Sequence, residues 1–126
     1  MSPEVKARIM KELGLISWRT QLVEGPDAVI YYGLPSTLGV IDTTDVLVPV
    51  PSGYPQSAVD YAFLPAGSPL QGRVPGVVQG TIQFGGRPWT QISYHPHNGG
   101  GGPAWDPTRH GFHTYVDEVL TWLAKR

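Results

Sequence analysis

The order of local patterns predicts an α+β fold: a short amphipathic helix, a run of antiparallel strands, a long loop and a closing helix. Three observations carry that expectation. Val5, Ile9 and Leu13 recur every fourth residue and give the N-terminal segment one apolar stripe. Most of the sixteen glycines and thirteen prolines fall between Gly25 and Pro107, among β-branched and aromatic segments that disfavour helix there. Val116, Val119, Leu120 and Leu123 then restore helical spacing near the C-terminus.

Taken in order, Ser2 can cap the first helix, Pro3 suits its first turn and Gly14 can end it. Lys6, Arg8, Lys11 and Glu12 flank the apolar stripe, which needs a partner because the helix is short. Four or five strands are expected among the six β-rich segments 17–24, 28–34, 43–50, 59–64, 81–84 and 89–95. "GPD" is a turn between the first two, and short connections favour an antiparallel meander. Thr114-x-x-Asp117 reads as a capping box ahead of the last helix, where Lys125 and Arg126 suit the negative end of the dipole. Trp89, Trp105, Trp122, Tyr54, Tyr61 and Phe63 are expected in the core. Some of Trp18, Tyr31 and Tyr32, on the early strands, should face outward.

The 126 residues suit one domain, 1–126, able to bury a core without metal or disulfide. Apolar residues make up 40% and charged residues 15%, which fits a globular chain. A net charge of -1 without a basic block argues against nucleic acid or membrane surfaces as partners. The absence of cysteine excludes disulfides, thiolate metal sites and thioester chemistry on this chain. No signal-peptide-like segment and no run of about 18 apolar residues is present, so a cytoplasmic location is expected.

Three segments in fixed order resemble the ubiquitin-conjugating enzyme fold, in the branch found in bacterial ubiquitin-like conjugation operons. "VPVPSGYPQSAVDYAFL" is similar to the Pro-x-x-Tyr-Pro segment between two strands, followed by an aromatic strand. "ISYHPHN" resembles the strand ending in Tyr-His-Pro-Asn, with His97 inserted, and "AWDPTRHGFHTYVDEVLTWL" resembles the Trp-x-Pro that precedes the next helix. The likeness spans roughly residues 45–123. The family's catalytic cysteine follows the His-Pro-Asn by a short loop, where this chain has Gly99–Gly102, Pro103 and Ala104. In the bacterial branch the reactive residue can precede the histidine instead. The resemblance then implies that Ser93 stands in a Ser-Tyr-His replacing Cys-x-His, and carries a ubiquitin-like protein as an oxyester.

The residues themselves allow that chemistry. Ser93 and His95 are two apart and leave one face of a strand, about 6.5 to 7 Å from each other unless the chain bends at His95-Pro96. A serine hydroxyl needs a base to become a nucleophile, and His95 titrates near neutrality in its ordinary state. The plainer reading leaves Ser93 an ordinary strand serine and His95 a loop anchor. By the resemblance Asn98 donates its amide to the developing oxyanion; otherwise it is a turn residue before glycines. His110 and His113 precede the last helix and are candidates for a second base. Four histidines also allow a metal site, but no carboxylate motif accompanies them. The glycine run lacks the lysine of a phosphate-binding loop, so its use would be to let another backbone approach.

The expected function is that of an acyl carrier in a bacterial ubiquitin-like pathway. Its partners would be a ubiquitin-like protein, an activating enzyme and protein targets, with Lys6, Arg8 and Lys11 offering a docking face. No cofactor or metal is required on this chain, because ATP is consumed at the activating step. Operons of this kind suggest antiphage defence or stress. The alternatives are an inactive variant of the same fold that only binds a ubiquitin-like protein, and a small metal protein.

Overall fold

The computed structural model describes residues 1–94 and 104–124. The first helix, α1 (Pro3–Leu13), begins as its sequence requires: the Ser2 hydroxyl accepts the Val5 N–H at 3.1 Å and Pro3 opens the first turn. Six strands follow: β1 (Thr20–Val23), β2 (Ala28–Pro35), β3 (Thr43–Pro49), β4 (Ala62–Pro65), β5 (Val78–Phe84) and β6 (Arg87–Ile92). The final helix is α2 (Phe112–Ala124).

All strand pairs are antiparallel, but the order is β1-β2-β3-β4-β6-β5, so the expected meander holds only through β4. The chain after β4 passes outside the position of β6, starts β5 at the far edge and returns by a tight turn at Gly85 and Gly86, both at positive φ. That long connection is held to the helix side. Leu70 and Val74 are buried, and the Trp122 indole N–H donates to the Pro75 carbonyl at 2.6 Å.

Side chains alternate across the sheet as the two-residue period demands. Val29, Tyr31, Val46, Val48, Ala62 and Leu64 join the large core under the helices, with Ile9, Phe112, Tyr115 and Trp122. Their neighbours Ile30, Leu47 and Phe63 join Phe84 and Trp89 in a smaller cluster on the opposite face. Arg87 covers that cluster, its guanidinium 4.6 Å from the Trp89 ring and bonded to Asp45 at 2.8 Å.

Two expectations need correction, while the outward-facing side chain expected among the early aromatics is that of Trp18. The last helix starts two residues before Thr114, whose hydroxyl instead reaches back to the Gly111 N–H and carbonyl. Its free Phe112 N–H is taken by Glu12, a carboxylate from the other helix, at 3.1 Å. Tyr61 stands exposed at the mouth of β4 rather than in the core, whereas Tyr31 is fully buried with its hydroxyl donated to the Phe112 carbonyl.

Candidate functional site

Ser93 stands one residue beyond β6, and both of its sides are held. Its N–H donates to the Val77 carbonyl at 2.8 Å, carrying the β5–β6 ladder one step further. Tyr94 then turns to the helix side, where its ring stacks on Trp122 at 4.9 Å and its hydroxyl donates to the Glu118 carbonyl at 2.9 Å. Burial raises the Tyr94 phenol well above its ordinary value, with Glu118 and Asp60 adding to the effect, so it stays a neutral donor. Strand alternation, with Ile92 and Tyr94 on the helix side, puts the half-buried Ser93 side chain on the opposite face, that of Trp89.

The backbone around Ser93 leaves no slack. Gly76, at φ +125, passes so close that a Cβ there would run into the Ser93 carbonyl oxygen and the Ile92 side chain. On the other side, the β4–β6 register pairs Ala62 with Ile92, and its next step brings Tyr61 opposite Ser93. Tyr61 lines a cleft of about 710 Å³ together with Pro51, Ser52, Ser57, Asp60 and Trp105. Asp60 is a buried carboxylate, and its carbonyl accepts the Tyr115 hydroxyl at 2.8 Å.

The segment from Ala104 onward is fixed to the Tyr-Pro stretch. The Trp105 indole donates to the Pro55 carbonyl at 2.8 Å and lies 6.3 Å from the Tyr54 ring. Asp106 accepts both the N–H and the hydroxyl of Thr108, and these two bonds hold its carboxyl below the usual carboxylate range. Arg8 reaches across from α1 to donate to the carbonyls of Pro107 and His110 at 2.6 and 3.2 Å. Glu12 joins the parts: it accepts from Arg8 at 2.8 Å, from the Tyr54 hydroxyl at 2.6 Å and from the Phe112 N–H. Gly111 permits this closeness, because a Cβ there would collide with the Glu12 carboxylate.

Of the sequence candidates, Ser93, His110 and His113 are described; His95 and Asn98 lie outside the described residues, as do His97 and the glycine run. The His110 Nδ1 accepts the Asp106 N–H at 2.9 Å, and its ring packs against Trp105. His113 occupies the first turn of α2, and its buried Nδ1 has no hydrogen-bond partner. Both belong to the helix side of the sheet, the face opposite the one to which Ser93 points. Among the described residues no group of three or more His, Asp or Glu side chains is placed to hold a metal.

Glu12, Asp60 and Tyr61 were not singled out from the sequence as site residues. The alternation Tyr61-Ala62-Phe63-Leu64 marks Tyr61 as facing away from the helices, but only its place at the strand end leaves it exposed. Glu12 looks like any polar flank of an amphipathic helix; its partners lie 42 and 100 residues away.

No helix among the described residues is long and apolar enough to cross a membrane. No curated protein and no solved structure matches the chain. Residues 3–126 match a family described as prokaryotic E2 family E. The α+β arrangement of N-terminal helix, antiparallel sheet and C-terminal helix agrees with that family's ubiquitin-conjugating type of fold. With a match over nearly its whole length, the chain belongs to prokaryotic E2 family E, and so to a family of ubiquitin-conjugating type whose members work with a ubiquitin-like modifier and its activating enzyme.

Proposed function

We propose that this chain acts as one unit, 1–126, and carries a ubiquitin-like modifier as an oxyester on Ser93. The observation that carries the reading is the grip on residue 93: a backbone bond to Val77 on one side and the stacked Tyr94 on the other. That grip fixes the backbone that carries the hydroxyl at the end of β6, and a nucleophile waiting for a large acyl donor needs such positioning.

In the first step the Ser93 Oγ attacks the modifier's C-terminal carbonyl. A C–O bond forms, the bond to the activating enzyme's leaving group breaks, and the hydroxyl proton passes to a base. In the second, a target amine attacks the ester carbonyl, an amide forms, and Oγ recovers a proton as it leaves. His110 and His113 stand on the helix side, so His95 is the better base for Ser93. His110 acts instead by holding the 105–110 turn, through its bond to the Asp106 N–H. Asn98 donates to the oxyanion in both steps.

The cleft beside Tyr61 and Trp105 is where the target amine would approach. The exposed side of α1, with Met10, Lys11 and the following Leu15, suits the activating enzyme, since Arg8 is committed to the 107–110 turn. A cytoplasmic setting and a role in defence or stress accompany this reading.

The test is intact mass spectrometry after incubation with ATP, the activating enzyme and its ubiquitin-like protein. An adduct that survives thiol, falls to mild base and disappears in Ser93→Ala is expected. Binding of the modifier with no adduct under any condition would instead make the chain a silent binding module.

A further inference from the structure

We infer that the outer edge of β5 receives the C-terminal tail of the ubiquitin-like modifier as an added antiparallel strand. This rests on the Ser93 reading above.

A strand at the edge of a sheet turns one row of N–H and C=O groups away from its neighbour, and proteins usually blunt such an edge with charge, proline or a covering element. Both edges of this sheet can be compared. At one end β1 is four residues long, flanked by Arg19 and Glu24. At the other, β5 is seven residues long, "VQGTIQF", with no charged residue and no proline. Every β5 residue before Phe84 is exposed. Val77, Val78 and Ile82 are among the few large apolar side chains open to solvent, at 68%, 42% and 37%. Among the described residues, the protective device at this edge is an irregularity between Val78 and Thr81.

Continuity with Ser93 identifies the occupant. Val77 turns its carbonyl toward the Ser93 N–H, so the backbone groups of Val78 turn outward, to the free edge. A guest strand there lies about 4.8 Å from β5 and about 10 Å from β6. Only one direction lets a peptide end beside Ser93: entering near Phe84 and finishing near Val78, antiparallel to β5. Three extended residues span roughly 10 Å, enough for the last residues to cross Val77 and reach the Ser93 hydroxyl. Val77 is on the same face as Ser93, since paired residues in adjacent strands share a face. Main-chain bonds would supply affinity and the exposed Val78 and Ile82 would supply side-chain contacts.

The test uses the Ser93→Ala chain, so that docking is read apart from acyl transfer. The probes are the ubiquitin-like protein that the activating enzyme adenylates, at full length and with its C-terminal tail removed. Amide exchange should slow across Val78–Gln83 with the full-length probe and not with the tail-less one. Val78→Pro removes only an outward N–H, and Ile82→Lys places a charge on the edge; each should weaken binding of the full-length probe by about tenfold, with the tail-less probe unaffected.

Unchanged exchange in β5, with normal charging of the wild-type chain, would overturn the edge site and leave the Ser93 carrier standing. Slowed exchange without any adduct on the wild-type chain would overturn the carrier and retain the edge. Equal protection by the tail-less probe, or protection that follows this chain's own concentration, would overturn the tail as occupant in favour of another modifier surface or a second copy.

Discussion

At the β1–β3 end of the sheet both helices lie over the strands, and Glu12 binds α1, the Tyr54 hydroxyl and the first N–H of α2 into one buried knot. At the β6–β5 end the helix side is covered, among the described residues, by Trp122 and the connection through Leu70 and Val74, and β5 before Phe84 is exposed. The first region is determined several times over, so losing one contact leaves others in place. In the second, one residue is held closely and the surface around it is left accessible. The carrier role proposed for Ser93 needs that division: a well-packed scaffold and an edge that a partner can reach.

The largest effect should come from Trp122, where the two regions meet. Trp122→Ala removes a fully buried ring, its bond to Pro75 and the platform under Tyr94, and should cost about 4 kcal/mol in urea unfolding. Cutting the knot itself comes next. Glu12→Ala leaves the Tyr54 hydroxyl and the Phe112 N–H without their acceptor, a loss of about 3 kcal/mol by the same measurement, while adduct formation by the folded fraction should persist.

Gly76→Ala separates the regions most sharply. Its new methyl presses on the Ser93 carbonyl in a backbone conformation that disfavours side chains, costing about 2 kcal/mol. Charging of the remaining folded protein should fall far more than the stability does. Equal losses in both would mean that the position of Ser93 is not what limits the reaction.

The smallest effect concerns pH. Burial raises the phenols of Tyr31, Tyr54, Tyr94 and Tyr115, so the folded chain keeps protons that the unfolded chain releases above its ordinary value near 10. Their contribution is fully present below that value and is lost as the pH rises beyond it. Tyrosinate absorbance should therefore show these four rings titrating only together with unfolding.

How far the sequence foretold this arrangement followed the range of the forces involved. The Ser2 cap and the amphipathic stripe of α1 are legible because capping and helical periodicity act over a few residues. Strand segments were legible through β-branched and aromatic runs, but the exchange of β5 and β6 was not, because a meander and an edge swap use the same local residues. The start of α2 was misjudged for the same reason. Thr114 has the chemistry of a cap, yet Glu12, 100 residues from Phe112, supplies the acceptor and lets the helix begin at Phe112. At the candidate site, the motif proposes Ser93, while the hold on it by Val77, Gly76 and Tyr94 depends on packing that no tripeptide encodes.

The most direct measurement of the central claim is the chemistry of the bond formed by Ser93→Cys. Charged with the same modifier and activating enzyme, this variant should give an adduct of the expected mass that thiol now cleaves, where the wild-type adduct resists thiol and yields to mild base. A thiol-resistant adduct on the cysteine variant, equal to that of the wild type, would place the acyl group on another residue and contradict Ser93 as the carrier.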